Sequence, residues 1–161
     1  MDSIYLDNAA TTPVLEEVVD IMTQTLSASF GNPSSIHSQG RTAKSIIENT
    51  RKSIAKELGA QPKEIIFTSG GTEGDNMILQ GAVYGLGIET IITSKIEHHA
   101  VLHAVEKLET TAGVTVQYVK FLPAGSPDID DLERLLQNDN TKKLVSLIHV
   151  NNELGTIADL E

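Results

Sequence analysis

Three short stretches of this sequence carry residue types suited to chemistry. The first is Thr68-Ser69-Gly70-Gly71-Thr72-Glu73-Gly74-Asp75-Asn76, which follows the apolar run Ile65-Ile66-Phe67. Apolar run, hydroxyl-and-glycine turn and acidic segment together read as strand, tight loop and helix. Such a junction gathers unpaired backbone N–H groups at a helix N-terminus, and Gly70 and Gly71 let an anion approach the backbone closely. The same residues equally suit an ordinary connection with Thr72 as N-cap and Asp75 at the third helical position. The second stretch is Lys95 to His99, containing Glu97-His98-His99. Imidazoles between a strand and a helix can transfer protons, stack on a planar ring or bind a metal, and they can equally be solvent-facing first-turn residues. A metal is the weakest of these options. His98 and His99 point apart on a helix, and His103, four residues beyond His99, has no acidic ligand at metal-site spacing. The third stretch is Asn151-Asn152-Glu153, after an apolar strand. Its amides suit either a turn or hydrogen bonds to a ligand's hydroxyl or carboxylate.

The elements that must position these residues follow from hydrophobic period and punctuation. Residues 4 to 13 read as an extended arm ending at Pro13, which suits the first turn of a helix. Val14, Val18, Met22 and Leu26 recur four apart, which predicts an amphipathic helix from Val14 to about Leu26. Ser29 to His37 is a loop by its Gly, Pro and Ser content. Ser34 or Ser35 is expected to cap a helix that runs to Leu58 and stops at Gly59. A turn over 61–63, a strand from Glu64 to Thr68 and a helix from Asp75 to about Tyr84 come next. Strands are then expected at Thr90 to Thr93, Thr115 to Val119 and Leu144 to Val150. Helices are expected from about Glu97 to Leu108 and from about Ile129 to Gln137. This alternation predicts an α/β fold with a mostly parallel sheet flanked by helices, whose ligands bind beyond the carboxyl ends of the strands.

Composition narrows the class. A chain of 161 residues, 40% of them hydrophobic, is long and apolar enough for one domain, and no internal boundary or repeat is visible. No run approaches the roughly 18 apolar residues of a membrane span, and no signal-peptide pattern opens the chain. A soluble, cytoplasmic protein is the expectation. A formal charge of −10 argues against nucleic acid and anionic membranes as partners, so any phosphate site must be local. With no cysteine, the chain holds no disulfide, thiolate metal site or cysteine nucleophile.

Taken together, Tyr5 to Pro13, Gly31-Asn32-Pro33-Ser34-Ser35 with His37, Phe67 to Glu73 with Asp75-Asn76, Glu97-His98 with Ala100-Val101, and Asn151-Asn152-Glu153 with Gly155 resemble one family in order and separation. The chain resembles the N-terminal part of a pyridoxal-phosphate-dependent cysteine desulfurase of the class V aminotransferase superfamily. The resemblance implies the aminotransferase fold type I, with residues 1–161 forming part of the large, cofactor-binding domain. It implies that Gly71 and Thr72 bind the phosphate of pyridoxal 5′-phosphate. It implies that His98 stacks on the pyridine ring and could assist proton transfer, and that Asn152 hydrogen-bonds the ring oxygen and the substrate carboxylate. Asn8, Ala9 and Ala10 would line the substrate side.

The family's covalent lysine in a Ser-X-His-Lys segment, its aspartate for the pyridine nitrogen and its nucleophilic cysteine have no counterpart here. In the family they lie downstream of the position matching Glu161, so the expectation is a truncated chain, inactive alone. The parent would turn L-cysteine into L-alanine as a homodimer and pass sulfur, as an enzyme persulfide, to an acceptor or scaffold protein, as in iron–sulfur cluster assembly. A selenocysteine lyase or another class V enzyme, or a non-catalytic binding or assembly module, is the alternative. The family sheet has seven strands, with the one matching Glu64 to Thr68 separated from the next three by strands contributed later. Residues 64–68 are therefore expected to stand apart from the strands of residues 90–150, and native folding to need the remaining chain or a second copy.

Overall fold

The computed structural model describes residues 4–123 and 125–159, which form two compact units, one ending at Phe67 and one beginning at Thr68. The terminal Leu160 and Glu161, on which the expectation of truncation falls, lie outside the described residues.

In the first unit, the period-four apolar positions form helix α1 (Glu16–Ala28), with two acidic residues, Glu16 and Glu17, in the first turn where the helix dipole favours them. None of its residues is buried, and Val18, Ile21, Met22 and Leu26 are exposed. Helix α2 (Ser38–Glu57) begins later than Ser34 or Ser35 would allow. Its N-cap is His37, whose Nδ1 accepts the N–H of Gly40 at 3.4 Å, while Asn32 Oδ1 holds Ser34 in the preceding turn at 2.9 Å. The loop folds so tightly on the start of α2 that a Cβ on Gly31 would collide with the Gln39 carbonyl, and one on Gly40 with the Ser35 carbonyl.

The expected strand at Glu64 to Thr68 does not form. Pro62–Glu64 make a 3₁₀ turn in which the Glu64 carboxylate accepts the Gln61 N–H at 2.6 Å, and the chain beyond it enters no ladder. A strand needs a partner to satisfy its backbone. Here the Ile65 carbonyl accepts from the Arg51 guanidinium instead, and Arg51 also lies 4.8 Å from the Phe67 ring centroid. Ile66 and Phe67 stay exposed. Residues 64–68 therefore pair with none of the described strands.

The second unit is built on a parallel three-stranded sheet in the order β2-β1-β3, formed by β1 (Thr90–Thr93), β2 (Thr115–Tyr118) and β3 (Lys143–Val145). The central strand is buried along its whole length, and its alternation divides the core. Ile91 packs with Leu79, Val83, Val101, Val105 and Leu108 beneath α3 (Gly71–Gln80) and α4 (His99–Ala112). Ile92 packs on the other face with Val119 and Leu135 beneath α5 (Ile129–Gln137). Helices on both faces explain why all four residues of β1, Thr90-Ile91-Ile92-Thr93, are buried. Asp128 caps α5 by accepting the Asp131 N–H at 3.1 Å. The Asp131 carboxylate takes Arg134 Nη2 at 2.7 Å and the Lys120 N–H at 3.0 Å, and these bonds, the arginine's foremost, hold its pKa below the ordinary value.

Two expectations shift here. Helix α3 starts at Gly71 rather than Asp75, so Thr72 is inside the first turn and Gly70 is the N-cap. The apolar run from Leu144 to Val150 breaks after Val145. Val150–Asn151 (β4) pair antiparallel with Thr156–Ile157 (β5) in a separate hairpin, whose turn closes through Gly155 in the left-handed region (φ +69°). The partner is local in sequence, so the hairpin forms without extending the sheet.

Candidate functional site

Strands β1 and β3 are neighbours, so the loops leaving their carboxyl ends meet above the sheet. From β1 come Ser94 to His98 and then α4; from β3 come residues 146–149 and then the hairpin. A cleft of about 270 Å³ lies between them, lined by Lys95 to His99 and Leu102 on one side and by Ile148 and Asn151 to Leu154 on the other. That is near the lower end of the roughly 300–1,000 Å³ typical of small-molecule sites. Two of the clusters singled out in the sequence therefore share one concavity.

His98 stands at the N-cap of α4, and its Nδ1 accepts the Ala100 N–H at 3.1 Å. That bond fixes the ring and, in the neutral imidazole, leaves the proton on Nε2. His99, the first residue of the helix, turns edge-on to His98 at 6.3 Å between centroids and stacks with His103 at 5.5 Å. Among the described residues no group of three or more His, Asp or Glu side chains could hold a metal. Lys95 Nζ sits 5.7 Å from the Tyr118 ring centroid, within cation–π range.

Beneath these groups lie two buried polar side chains whose placement sequence reading missed. Glu97, 8% exposed, uses one oxygen, Oε1, to accept from Ser94 Oγ at 2.7 Å and from the Ile148 N–H at 2.8 Å. Asn151, 6% exposed, donates Nδ2 to the Ile96 carbonyl at 2.9 Å. Its Oδ1 accepts the N–H groups of Glu153 at 3.0 Å and Leu154 at 2.9 Å. The available signal was weak: an acidic residue next to His98 and an amide next to Asn152, each with its cross-loop partner more than fifty positions away. Asn152 itself is exposed at the cleft.

The glycine loop lies at the start of α3, and neither Gly71 nor Thr72 lines the cleft that holds His98 and Asn152. The N–H groups of the first helical turn, including those of Gly71 and Thr72, have no intrahelical acceptor. Glu73 does not take them. Its carboxylate turns back to the Ser69 N–H at 2.6 Å, and that bond, with one from the Ser69 side chain, holds its pKa below the usual value. A Cβ added at Gly70 or Gly71 would meet no atom within 4 Å, and neither residue has a left-handed φ. Neither packing among the described residues nor backbone strain calls for glycine there, which leaves an open cradle at the helix terminus. Asn8, Ala9 and Ala10 belong to the first unit, in an exposed turn where the Asp7 carbonyl accepts the N–H groups of Ala10 at 3.1 Å and Thr11 at 3.3 Å. No described helix is long and apolar enough to cross a membrane.

Cysteine desulfurase IscS of Dictyoglomus turgidum is 47% identical over 163 residues, covering 98% of this chain and 40% of that protein. A solved structure named NifS-like protein superposes with a TM-score of 0.87 at 39% identity, covering 94% of this chain and 41% of its own. One named SspA in complex with cysteine superposes with a TM-score of 0.84 at 36% identity, covering 93% and 43%. The chain thus spans about two-fifths of the length of the relatives it matches. A family model described as aminotransferase class-V matches residues 4–161, and with the parallel sheet and the relatives just named, the chain belongs to the aminotransferase class-V family.

Proposed function

We propose that residues 1–161 are the N-terminal portion of the cofactor-binding large domain of a pyridoxal-phosphate-dependent cysteine desulfurase. The parent protein would convert L-cysteine to L-alanine and pass the sulfur to an enzyme thiol. The carbon–sulfur bond of cysteine breaks, a sulfur–sulfur bond forms on the thiol, and carbon keeps the electron pair and takes up a proton, giving alanine and a persulfide. The observation that carries this proposal is the cleft shared by His98 and Asn152, on the chain segments that follow the adjacent strands β1 and β3. It is supported by relatives named as cysteine desulfurases and by a similar structure named as a complex with cysteine.

The residues suit pyridoxal 5′-phosphate. Gly71 and Thr72 would hold its phosphate through first-turn N–H groups and the Thr72 hydroxyl, in the open cradle where a Cβ meets nothing. His98 would stack on the ring, its face steadied by the bond from Ala100, and could move a proton through Nε2. Asn152 would hydrogen-bond the ring oxygen and the substrate carboxylate, with Asn8 to Ala10 on the substrate side. When bound, the cofactor supplies an electron sink that weakens the bond to sulfur. The thiol must come from outside these residues, because the chain has no cysteine. The proposal extends to a cytoplasmic homodimeric parent that delivers sulfur to an acceptor or scaffold protein, as in iron–sulfur cluster assembly.

The test is alanine production from L-cysteine by the protein carrying this chain, loaded with cofactor and supplied with a reductant. Alanine and sulfide in equal amounts are expected, and a loaded protein that makes no alanine overturns the proposal. Turnover of selenocysteine without turnover of cysteine would reassign it as a selenocysteine lyase. The 161-residue chain alone is expected to form neither alanine nor a borohydride-stable attachment at a specific residue.

A further inference from the structure

We infer that Glu97 and Asn151 form a two-point clasp that sets the position of His98 relative to Asn152, making them positioning residues for the site. Each flanks one of the two cleft residues in sequence, and each reaches across to the opposite loop. From the β1 side, Glu97 Oε1 takes the Ile148 N–H at 2.8 Å; from the hairpin side, Asn151 Nδ2 gives to the Ile96 carbonyl at 2.9 Å. The crossings run in opposite directions between neighbouring residues, so together they resist both sliding and hinging of one loop on the other. Both side chains are more than nine-tenths buried, which shields the bonds from competition with water. Each is also anchored at home, Glu97 by Ser94 Oγ at 2.7 Å and Asn151 by the N–H groups of Glu153 and Leu154. A displacement of about 1 Å between groups that act on one ligand can cost on the order of a hundredfold in rate, so such a clasp matters to the site.

The role in cofactor binding rests on the proposal that His98 and Asn152 serve the same ligand, and the test separates the two. Wild type, Glu97→Ala, Glu97→Gln and Asn151→Asp are compared for amide hydrogen exchange without cofactor, and for pyridoxal 5′-phosphate affinity by visible absorption in the protein carrying this chain. Glu97→Gln keeps an oxygen that can accept both bonds. Asn151→Asp keeps the acceptor for Glu153 and Leu154 and replaces the donor to Ile96 with a carboxylate oxygen that faces the carbonyl. Exchange at the Ile148 amide is expected to quicken at least about tenfold in Glu97→Ala and to return toward wild type in Glu97→Gln, with the Val105 core amide unchanged. Asn151→Asp is expected to leave Glu153 and Leu154 protected. Both Glu97→Ala and Asn151→Asp are expected to weaken cofactor binding about tenfold or more, with Glu97→Gln near wild type. Should Glu97→Ala fail to fold, the contrast between Asn151→Asp and wild type decides. Unchanged Ile148 exchange in folded Glu97→Ala, or unchanged cofactor affinity in either disrupting variant, overturns the clasp. A wild-type protein that binds no cofactor, while the exchange pattern follows expectation, supports the clasp and overturns the cofactor assignment.

Discussion

Gly71→Ala should move stability and cofactor affinity in opposite directions. A Cβ at Gly71 meets no atom within 4 Å, the residue begins helix α3, and its φ is not in the left-handed region. The methyl group therefore costs nothing in packing and removes conformational freedom from the unfolded chain, a gain of roughly 0.4–1 kcal/mol. The lower half of that range is expected, because the first helical position is only partly constrained. If the open space cradles a phosphate, the same methyl group stands where an oxygen must approach the backbone. Losing one charge-assisted hydrogen bond costs about 1.5–3 kcal/mol, or about 10- to 150-fold in Kd. Urea unfolding followed by circular dichroism reads the first effect, and cofactor titration in the protein carrying this chain reads the second. Gly40→Ala is the internal contrast: its Cβ would collide with the Ser35 carbonyl, so it should destabilise by about 1–3 kcal/mol. A Gly71→Ala chain that is less stable than wild type would refute the packing half of this reasoning. Unaltered cofactor affinity would refute the cradle.

His98→Asn separates the imidazole's two roles, since an asparagine oxygen can still cap α4 as Nδ1 does; stability should stay within about 0.5 kcal/mol while cofactor affinity falls, as thermal melts and absorption titration would show. Ile91→Ala empties the middle of the fully buried central strand and should cost about 2–5 kcal/mol, whereas Ile66→Ala at an exposed position should cost less than about 0.5; urea midpoints compare them. The Asp139 carboxylate, bonded by Lys143 Nζ at 2.6 Å and by Thr141, is held at about 2 against an ordinary 3.8. Its folded value lies below its unfolded one, so its contribution to stability is complete above about pH 3.8 and is lost as the pH falls toward about 2. Carbon-detected NMR titration should find that midpoint, and Lys143→Met should raise it.

Features governed by local period and capping chemistry were legible in the sequence. Strand Thr90–Thr93, a short β-branched run, lies where the sequence places it, and helix Ile129–Gln137 falls at about its expected bounds. The order of alternation was enough to call for a parallel sheet, and the placement of polar clusters at strand ends pointed to the cleft that joins His98 and Asn152. What failed depended on partners distant in the chain. Residues 64–68 have strand composition, yet a strand is a ladder, and the Ile65 carbonyl is taken by Arg51 instead. The run from 144 to 150 looks continuous, but its end pairs with residues 156–157 rather than with the sheet. The cap of α2 moved to His37 because the tight loop commits Ser34 to a turn set by Asn32. The burial of Glu97 and Asn151 was likewise invisible. A carboxylate and an amide read as surface residues until folding brings the Ile148 N–H and the Ile96 carbonyl, from opposite loops, within hydrogen-bond reach of them. Sequence thus determined which groups are available for chemistry, and tertiary structure alone decided which of them face one another, because only packing of the sheet brings residues fifty positions apart to a common edge.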